Sequence, residues 1–236
     1  MPAPAIVFIP GFMQPGTAWA AVAERLPERY PSLMLEHAEH SYEGRLGEIS
    51  RVGGGAVLCG YSMGGRLALH AALREPGRYS GLVMVSASAG IEAPETRSQR
   101  ADADEKLASW METQGMAEIV TVWERQPLFA DQSDALVDEQ RPGRLAQDPR
   151  ALALLLRTAG QGALEPVWQR LDSLTLPVLA AAGSLDERYA DAARRISRGV
   201  PDGRTVIMEN AGHAPQLQRP DEVAAEITAF LGRVAS

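Results

Sequence analysis

The sequence predicts an α/β fold, a mostly parallel sheet with helices on both faces and a helical insertion after the strand near residue 85. Three observations carry this. Apolar runs of strand length recur along the 236-residue chain, helical patterns separate them, and the alternation stops between about Ser88 and Thr175. Runs apolar on both faces belong to strands that are covered from both sides, as parallel strands joined by helical crossovers are.

Ala5-Ile9 is the first such run, and Thr17-Leu26 then shows helical spacing that stops before Pro27. Ser32-Leu35 and Ala56-Cys59 read as the next strands. Met63-Arg74 reads as a helix ended by Pro76-Gly77, and Gly81-Val85 as a fourth strand. Beyond it come only helix-like patches, at Lys106-Trp110, Met116-Trp123, Ala151-Arg157 and Leu164-Leu171. Strand and helix resume with Pro177-Ala182, Glu187-Arg198, Arg204-Met208 and Asp221-Leu231. The expected division is a core of residues 1–87 and 176–236 carrying a helical cap of residues 88–175. Right-handed crossovers put the loops after the strand C-termini on one edge, where ligands bind and where the cap would lie. The cap holds Trp110, Trp123 and Trp168, three of the four tryptophans. They are expected to fill its small core, with one or two facing the ligand.

A formal charge of −7 argues against a nucleic-acid or anionic-membrane surface, which needs concentrated Lys and Arg. Cys59 is the single cysteine, so no intramolecular disulfide and no Cys-based metal site can form; inside an apolar strand it reads as a packed thiol. The start, Met1-Pro2-Ala3-Pro4, has no basic region ahead of an apolar stretch, and Ala5 to Ile9 is too short for a signal or a span. The expectation is a cytoplasmic protein acting on a small molecule, with no metal or organic cofactor implied and the oligomeric state open.

The chemistry starts at Gly60-Tyr61-Ser62-Met63-Gly64, a G-x-S-x-G pentapeptide between a strand and a helix. This is the pattern of a nucleophile elbow, where a sharp turn projects the serine hydroxyl above the sheet. A serine hydroxyl is weak at neutral pH and needs an imidazole, itself oriented by an acid. Of the four histidines, His70 falls two turns into the helix after Ser62, and His37 and His40 follow an early strand. His213, in Asn210-Ala211-Gly212-His213-Ala214-Pro215, lies between the last strand and the final helix and is the candidate base. Asp186, just past the strand Pro177-Ala182, is the candidate acid, with Glu187 and Asp191 as weaker ones. Asp186 is equally a natural N-cap for the helix beginning at Glu187. Negative charge developing in a reaction needs donors, normally the amide after the nucleophile and one from the loop after the first strand: Met63 and Phe12 here.

The order Ser, Asp, His and the elbow make the chain similar to the α/β-hydrolase superfamily over essentially its full length. Within that superfamily it most resembles the 2-succinyl-6-hydroxy-2,4-cyclohexadiene-1-carboxylate synthases of menaquinone biosynthesis. The resemblance rests on Gly60 to Leu69, Ala89-Gly90-Ile91 through Arg97 and Arg100, Trp123 to Phe129, Leu156 to Gly162, and Ala211 to Ala214. It implies a lyase in which Ser62 and His213 remove a substrate proton and pyruvate is lost without an acyl-enzyme. It also implies that Phe12 and Met63 hold an enolate-like charge and that Arg97, Arg144 and Arg100 bind substrate carboxylates. Three features depart from the family. Pro10-Gly11 stands where most members have His-Gly, Glu36-His37-Ala38-Glu39-His40 replaces an Asp-x-x-Gly-x-Gly loop, and the chain starts almost at the third strand of the usual fold. The same three residues also suit a carboxylesterase or thioesterase with Ser62 as acyl nucleophile. A non-catalytic binding module has no physical need for all of them.

Overall fold

The computed structural model describes residues 3–235; Met1 and Pro2, part of the N-terminal stretch read above, lie outside the described residues. Six strands form one sheet in the order β2-β1-β3-β4-β5-β6, every neighbouring pair parallel. In chain order, β1 (Ile6–Ile9) leads through a 3-10 turn (Gly16–Trp19) into the short helix α1 (Ala20–Ala23). β2 (Ser32–Met34), α2 (Tyr42–Gly53), β3 (Val57–Tyr61), α3 (Met63–Arg74) and β4 (Gly81–Val85) follow. The inserted segment contributes α4 (Pro94–Met111), α5 (Met116–Glu124), α6 (Asp134–Leu145) and α7 (Pro149–Ala159), with 3-10 turns at Pro127–Phe129 and Trp168–Ser173. The chain then returns to β5 (Val178–Gly183), α8 (Glu187–Gly199), β6 (Gly203–Met208), α9 (Pro215–Gln218) and α10 (Pro220–Val234).

Side-chain alternation along the strands divides the core into two layers. Val7, Ile9, Leu58, Leu82, Met84, Val178 and Ala180 face one layer, shared with Leu46 and Ile49 of α2, Leu67 of α3 and Ile196 of α8. Ile6, Phe8, Val57, Cys59, Val83, Val85 and Leu179 face the other, shared with Trp19, Val22 of α1 and Ile227 and Phe230 of α10. Helices therefore cover both faces, which is why the central strands read as unbroken apolar runs. Cys59 is fully buried, and that burial pushes its thiol well above the ordinary cysteine range.

A third cluster belongs to the insertion. Ala108, Met111, Ile119, Val120, Leu152, Ala153 and Leu156 pack together and close on Met13 from the loop after β1. Trp110 and Trp123 lean on this cluster. Trp168 instead donates its indole N–H to the Gly90 carbonyl at 2.8 Å, and the Arg195 guanidinium lies over its ring.

The differences from the sequence expectation have local causes. The segment expected as one helix over Thr17-Leu26 is a 3-10 turn running into four α-helical residues and a turn. The patch expected over Leu164-Leu171 is a 3-10 turn that starts at Trp168. α2 has glycine at positions 44, 47 and 53, which dilutes its pattern, although Ser41 caps it by accepting from the Gly44 amide. α6 carries Pro142 and Gly143, which argue against helix in a sequence. Among the described residues no helix is long and apolar enough to cross a membrane.

Candidate active site

The elbow is forced by close packing at two glycines. A Cβ on Gly60 would overlap the Gly64 carbonyl, and one on Gly64 would overlap the Ile9 carbonyl. With both absent, β3 passes directly into α3 and leaves Ser62 at φ 51° and ψ −110°, a strained conformation for a residue with a side chain. The Ser62 amide donates to the Val85 carbonyl at 2.8 Å, so the strain is held by the neighbouring strand.

Asp186 and His213 converge on the serine from the ends of β5 and β6. A Cβ on Gly183 would overlap the Ala211 and Gly212 carbonyls, so the glycine lets the β6–α9 loop press against the end of β5. The Leu185 amide donates to the Ala211 carbonyl at 2.9 Å and the Gly212 amide to Gln218 Oε1 at 2.8 Å, fixing that loop. His213 Nδ1 then stands 2.6 Å from Asp186 Oδ2, and His213 Nε2 stands 3.1 Å from Ser62 Oγ. A carboxylate only accepts, so this contact selects the tautomer with hydrogen on Nδ1 and leaves the Nε2 lone pair for the serine hydroxyl. The ring is buried against Tyr61, Phe129 and Tyr189, with centroids at 5.4, 6.3 and 4.6 Å. Asp186 also accepts from the Tyr189 amide through Oδ1 at 3.4 Å, so the N-cap and the histidine partner are the same side chain. Glu187 is exposed and Asp191 pairs with Arg194 at the surface.

Above Ser62 lies a pocket of about 210 Å³ lined by both the sheet-edge loops and α4 to α7. Phe12, Leu107, Trp123, Leu128 and Phe129 form its apolar wall, with Trp123 edge-on to Phe12 at 5.2 Å. Phe12 and Met63 line the same pocket as Ser62. Met63 opens α3, so helix geometry gives its N–H no intrahelical acceptor. Among the described residues the Phe12 N–H donates to no protein acceptor.

The three arginines expected from the sequence separate. Arg144 lines the pocket, buried, and donates to Glu124 at 3.0 Å and Gln140 at 2.9 Å while its Nε has no partner. Arg100 also lines it and pairs with buried Asp104 at 2.8 Å. Arg97 is not among the lining residues; it pairs with Glu165 at 3.1 Å and reaches the Ile91 carbonyl. Two arginines that the sequence reading did not single out do line it. Arg188, at the rim, hydrogen-bonds Gln161. Arg66 is buried with no hydrogen-bond partner on Nη1, and that burial pulls its pKa down to about 10, still charged at neutral pH. The available signal for Arg66 was spacing, since it sits one helical turn after Ser62 on the same face. Tyr61 is buried beside them, and burial holds its phenol up, so it remains a donor.

The other histidines lie elsewhere. His37 is buried against Glu48 at 2.6 Å, His40 is exposed, and His70 contacts the Tyr42 hydroxyl at 2.9 Å. Among the described residues no cluster of His, Cys, Asp and Glu suits a metal ion.

A strained serine at a strand-to-helix turn, an imidazole and a carboxylate at successive strand ends, and an inserted helical layer over them define an enzyme of the α/β-hydrolase fold. The chain belongs to the alpha/beta hydrolase family, whose model matches residues 6–226. It is 33% identical over 177 residues to a putative 2-succinyl-6-hydroxy-2,4-cyclohexadiene-1-carboxylate synthase of Bacillus subtilis, covering 74% of this chain and 65% of that protein. The synthase of that name from Serratia proteamaculans is 28% identical, over 97% of this chain and 93% of that one. Among solved structures, MenH from S. aureus superposes with a TM-score of 0.91 at 24% identity, over 99% of this chain and 95% of that one. A thermophilic esterase from Thermogutta terrifontis superposes at 0.80 with 21% identity, over 99% of this chain and 91% of that one, which speaks for the fold alone.

Proposed function

We propose that this enzyme eliminates pyruvate from the menaquinone precursor to give 2-succinyl-6-hydroxy-2,4-cyclohexadiene-1-carboxylate, with Ser62 and His213 as the base unit and Asp186 orienting the imidazole. In this reading residues 88–175 are a cap that shapes the substrate pocket. The observation that carries the choice of substrate is the charge of the pocket. Arg66, Arg100, Arg144 and Arg188 line it; Arg100 pairs with Asp104 and Arg144 with buried Glu124, while Arg66 and Arg188 have no carboxylate partner among the described residues, in a chain whose net charge is −7. The product has a succinyl carboxylate and a ring carboxylate, and pyruvate carries another, so the substrate is a tricarboxylate. A cationic cleft in an anionic protein draws such a molecule in, and guanidinium groups bind its carboxylates by paired hydrogen bonds.

The reaction is an elimination. The Ser62 oxygen takes the proton from the ring carbon as its own proton passes to His213 Nε2. The carbon electron pair forms the new double bond, and the carbon–oxygen bond to the enolpyruvyl group breaks. The departing enolpyruvate takes the proton from the imidazolium and becomes pyruvate. The Phe12 and Met63 amides stabilise the enolate-like charge on the way.

The test is pyruvate release from the precursor. Native enzyme is expected to release it, and Ser62→Ala to lose the activity. Burst kinetics on a short p-nitrophenyl ester with no pyruvate release would instead establish a carboxylesterase or thioesterase, which uses Ser62 as acyl nucleophile and the same pair of amides.

A further inference from the structure

The loop after β1 must hold the Phe12 amide toward the reacting atoms, and its first residue, Pro10, offers neither an N–H nor a polar side chain to fix it. The loop is secured at its far end, where the Gly16 amide donates to Glu36 Oε2 at 2.6 Å, and at the strand end before it, where the Trp19 indole donates to the Ile9 carbonyl at 3.2 Å. Between these points the Gly11 amide depends on one side chain. The Gly11 amide donates to Gln14 Oε1 at 3.3 Å, while the Gln14 amide donates back to the Gly11 carbonyl at 3.3 Å. Together they close a tight turn with Phe12 and Met13 at its centre. Met13 is buried and has φ 59°, a left-handed conformation of the kind such turns use at their second central residue. Gly11 is wedged: a Cβ there would lie 2.6 Å from the Tyr61 ring and 3.3 Å from Gln14 Oε1.

We propose that Gln14 is the positioning residue of the candidate oxyanion site: its carboxamide oxygen holds the Gly11 amide and so fixes the turn that presents the Phe12 N–H beside Ser62. The inference rests on the proposed role of Phe12 and Met63, which serve a developing oxyanion in elimination and in acyl transfer alike. Gln14 acts through the turn. Its side chain also lines the pocket. A carboxylate at position 14 would therefore keep the brace while placing negative charge beside the substrate.

Gln14→Met removes the acceptor at nearly constant length, and Gln14→Glu keeps it. In Gln14→Met, kcat for pyruvate release should fall about tenfold or more with KM within about twofold of native. Gln14→Glu should keep kcat within about threefold of native and raise KM for the anionic substrate instead. If native enzyme turns over esters but releases no pyruvate, the elimination reading fails, while kcat on the ester still reads the Gln14 brace. A second measurement is independent of turnover. Amide hydrogen exchange in the peptide spanning residues 10–16 should speed up in Gln14→Met and stay native-like in Gln14→Glu. The proposal is overturned by unchanged kcat or unchanged exchange in Gln14→Met, or by equal losses of kcat in the two variants.

Discussion

The Asp186 carboxylate and the His213 imidazole meet at 2.6 Å across 27 residues of sequence, and the other oxygen of the same carboxylate caps α8. One side chain thus serves both helix and ring. Asn caps a helix about as well as Asp, so Asp186→Asn should change stability by less than about 1 kcal/mol. An amide presented to Nδ1 no longer selects the Nδ1–H tautomer. Turnover should fall between about a hundredfold and ten-thousandfold. Urea denaturation and pyruvate release on the same preparation separate the two effects; comparable stability with near-native turnover would remove Asp186 from the mechanism.

Arg66 presents a charge with an unpaired N–H in a buried pocket wall. If it meets a substrate carboxylate there, Arg66→Gln loses a charge-assisted hydrogen bond, typically about 1.5–3 kcal/mol, or roughly ten- to a hundredfold in KM. A neutral p-nitrophenyl ester should show no such rise. Parallel increases for both substrates would mean that Arg66 shapes the pocket instead of binding an anion.

Acid should weaken the fold through two histidines outside the pocket, His37, whose ring is buried, and half-buried His70. Burial first, and then the charges of Arg66, Arg170 and Arg74, hold the His70 pKa at about 4; burial and Arg45 do the same for His37, also about 4, against the pull of Glu48. Unfolded, each titrates near 6.5, so between about pH 6.5 and 4 the unfolded chain binds protons that the native chain does not. Stability therefore rises with pH through this window and is lost on acidification, by at most about 1.4 kcal/mol per pH unit for each histidine. His70→Gln should lose less stability than native protein between about pH 7 and pH 5, as read from urea midpoints. Equal losses would show that His70 does not carry the dependence.

The parts legible in the sequence are those whose chemistry is local. β3, Ser62 and α3 are contiguous, and Asp186 and His213 each follow a strand whose apolar run is visible. Runs apolar on both faces disclosed the layered sheet because β1, β3, β4 and β5 feed two cores at once. What stayed hidden depended on pairing across the fold. Nothing in the string Glu36 to His40 shows that Glu36 secures Gly16 or that His37 and Glu48 form a buried pair. Arg66 carries a sequence signal, its place one helical turn after Ser62, whereas nothing in the sequence around Arg97 shows where it points. Its pairing with Glu165 draws Arg97 away from the pocket, while Arg66 lines it.

The sheet order has a consequence for synthesis. β4 and β5 are neighbours in the sheet, yet α4 to α7 are made between them, and 151 residues separate Ser62 from His213. On the ribosome the Ser62 hydroxyl emerges long before His213, the imidazole proposed to activate it. A nascent or truncated chain ending within the helical insertion carries the elbow and the amides of Phe12 and Met63 with neither Asp186 nor His213. In the proposed mechanism reactivity is thereby withheld until β6 and its following loop have docked, so the enzyme is switched on by the completion of its own fold.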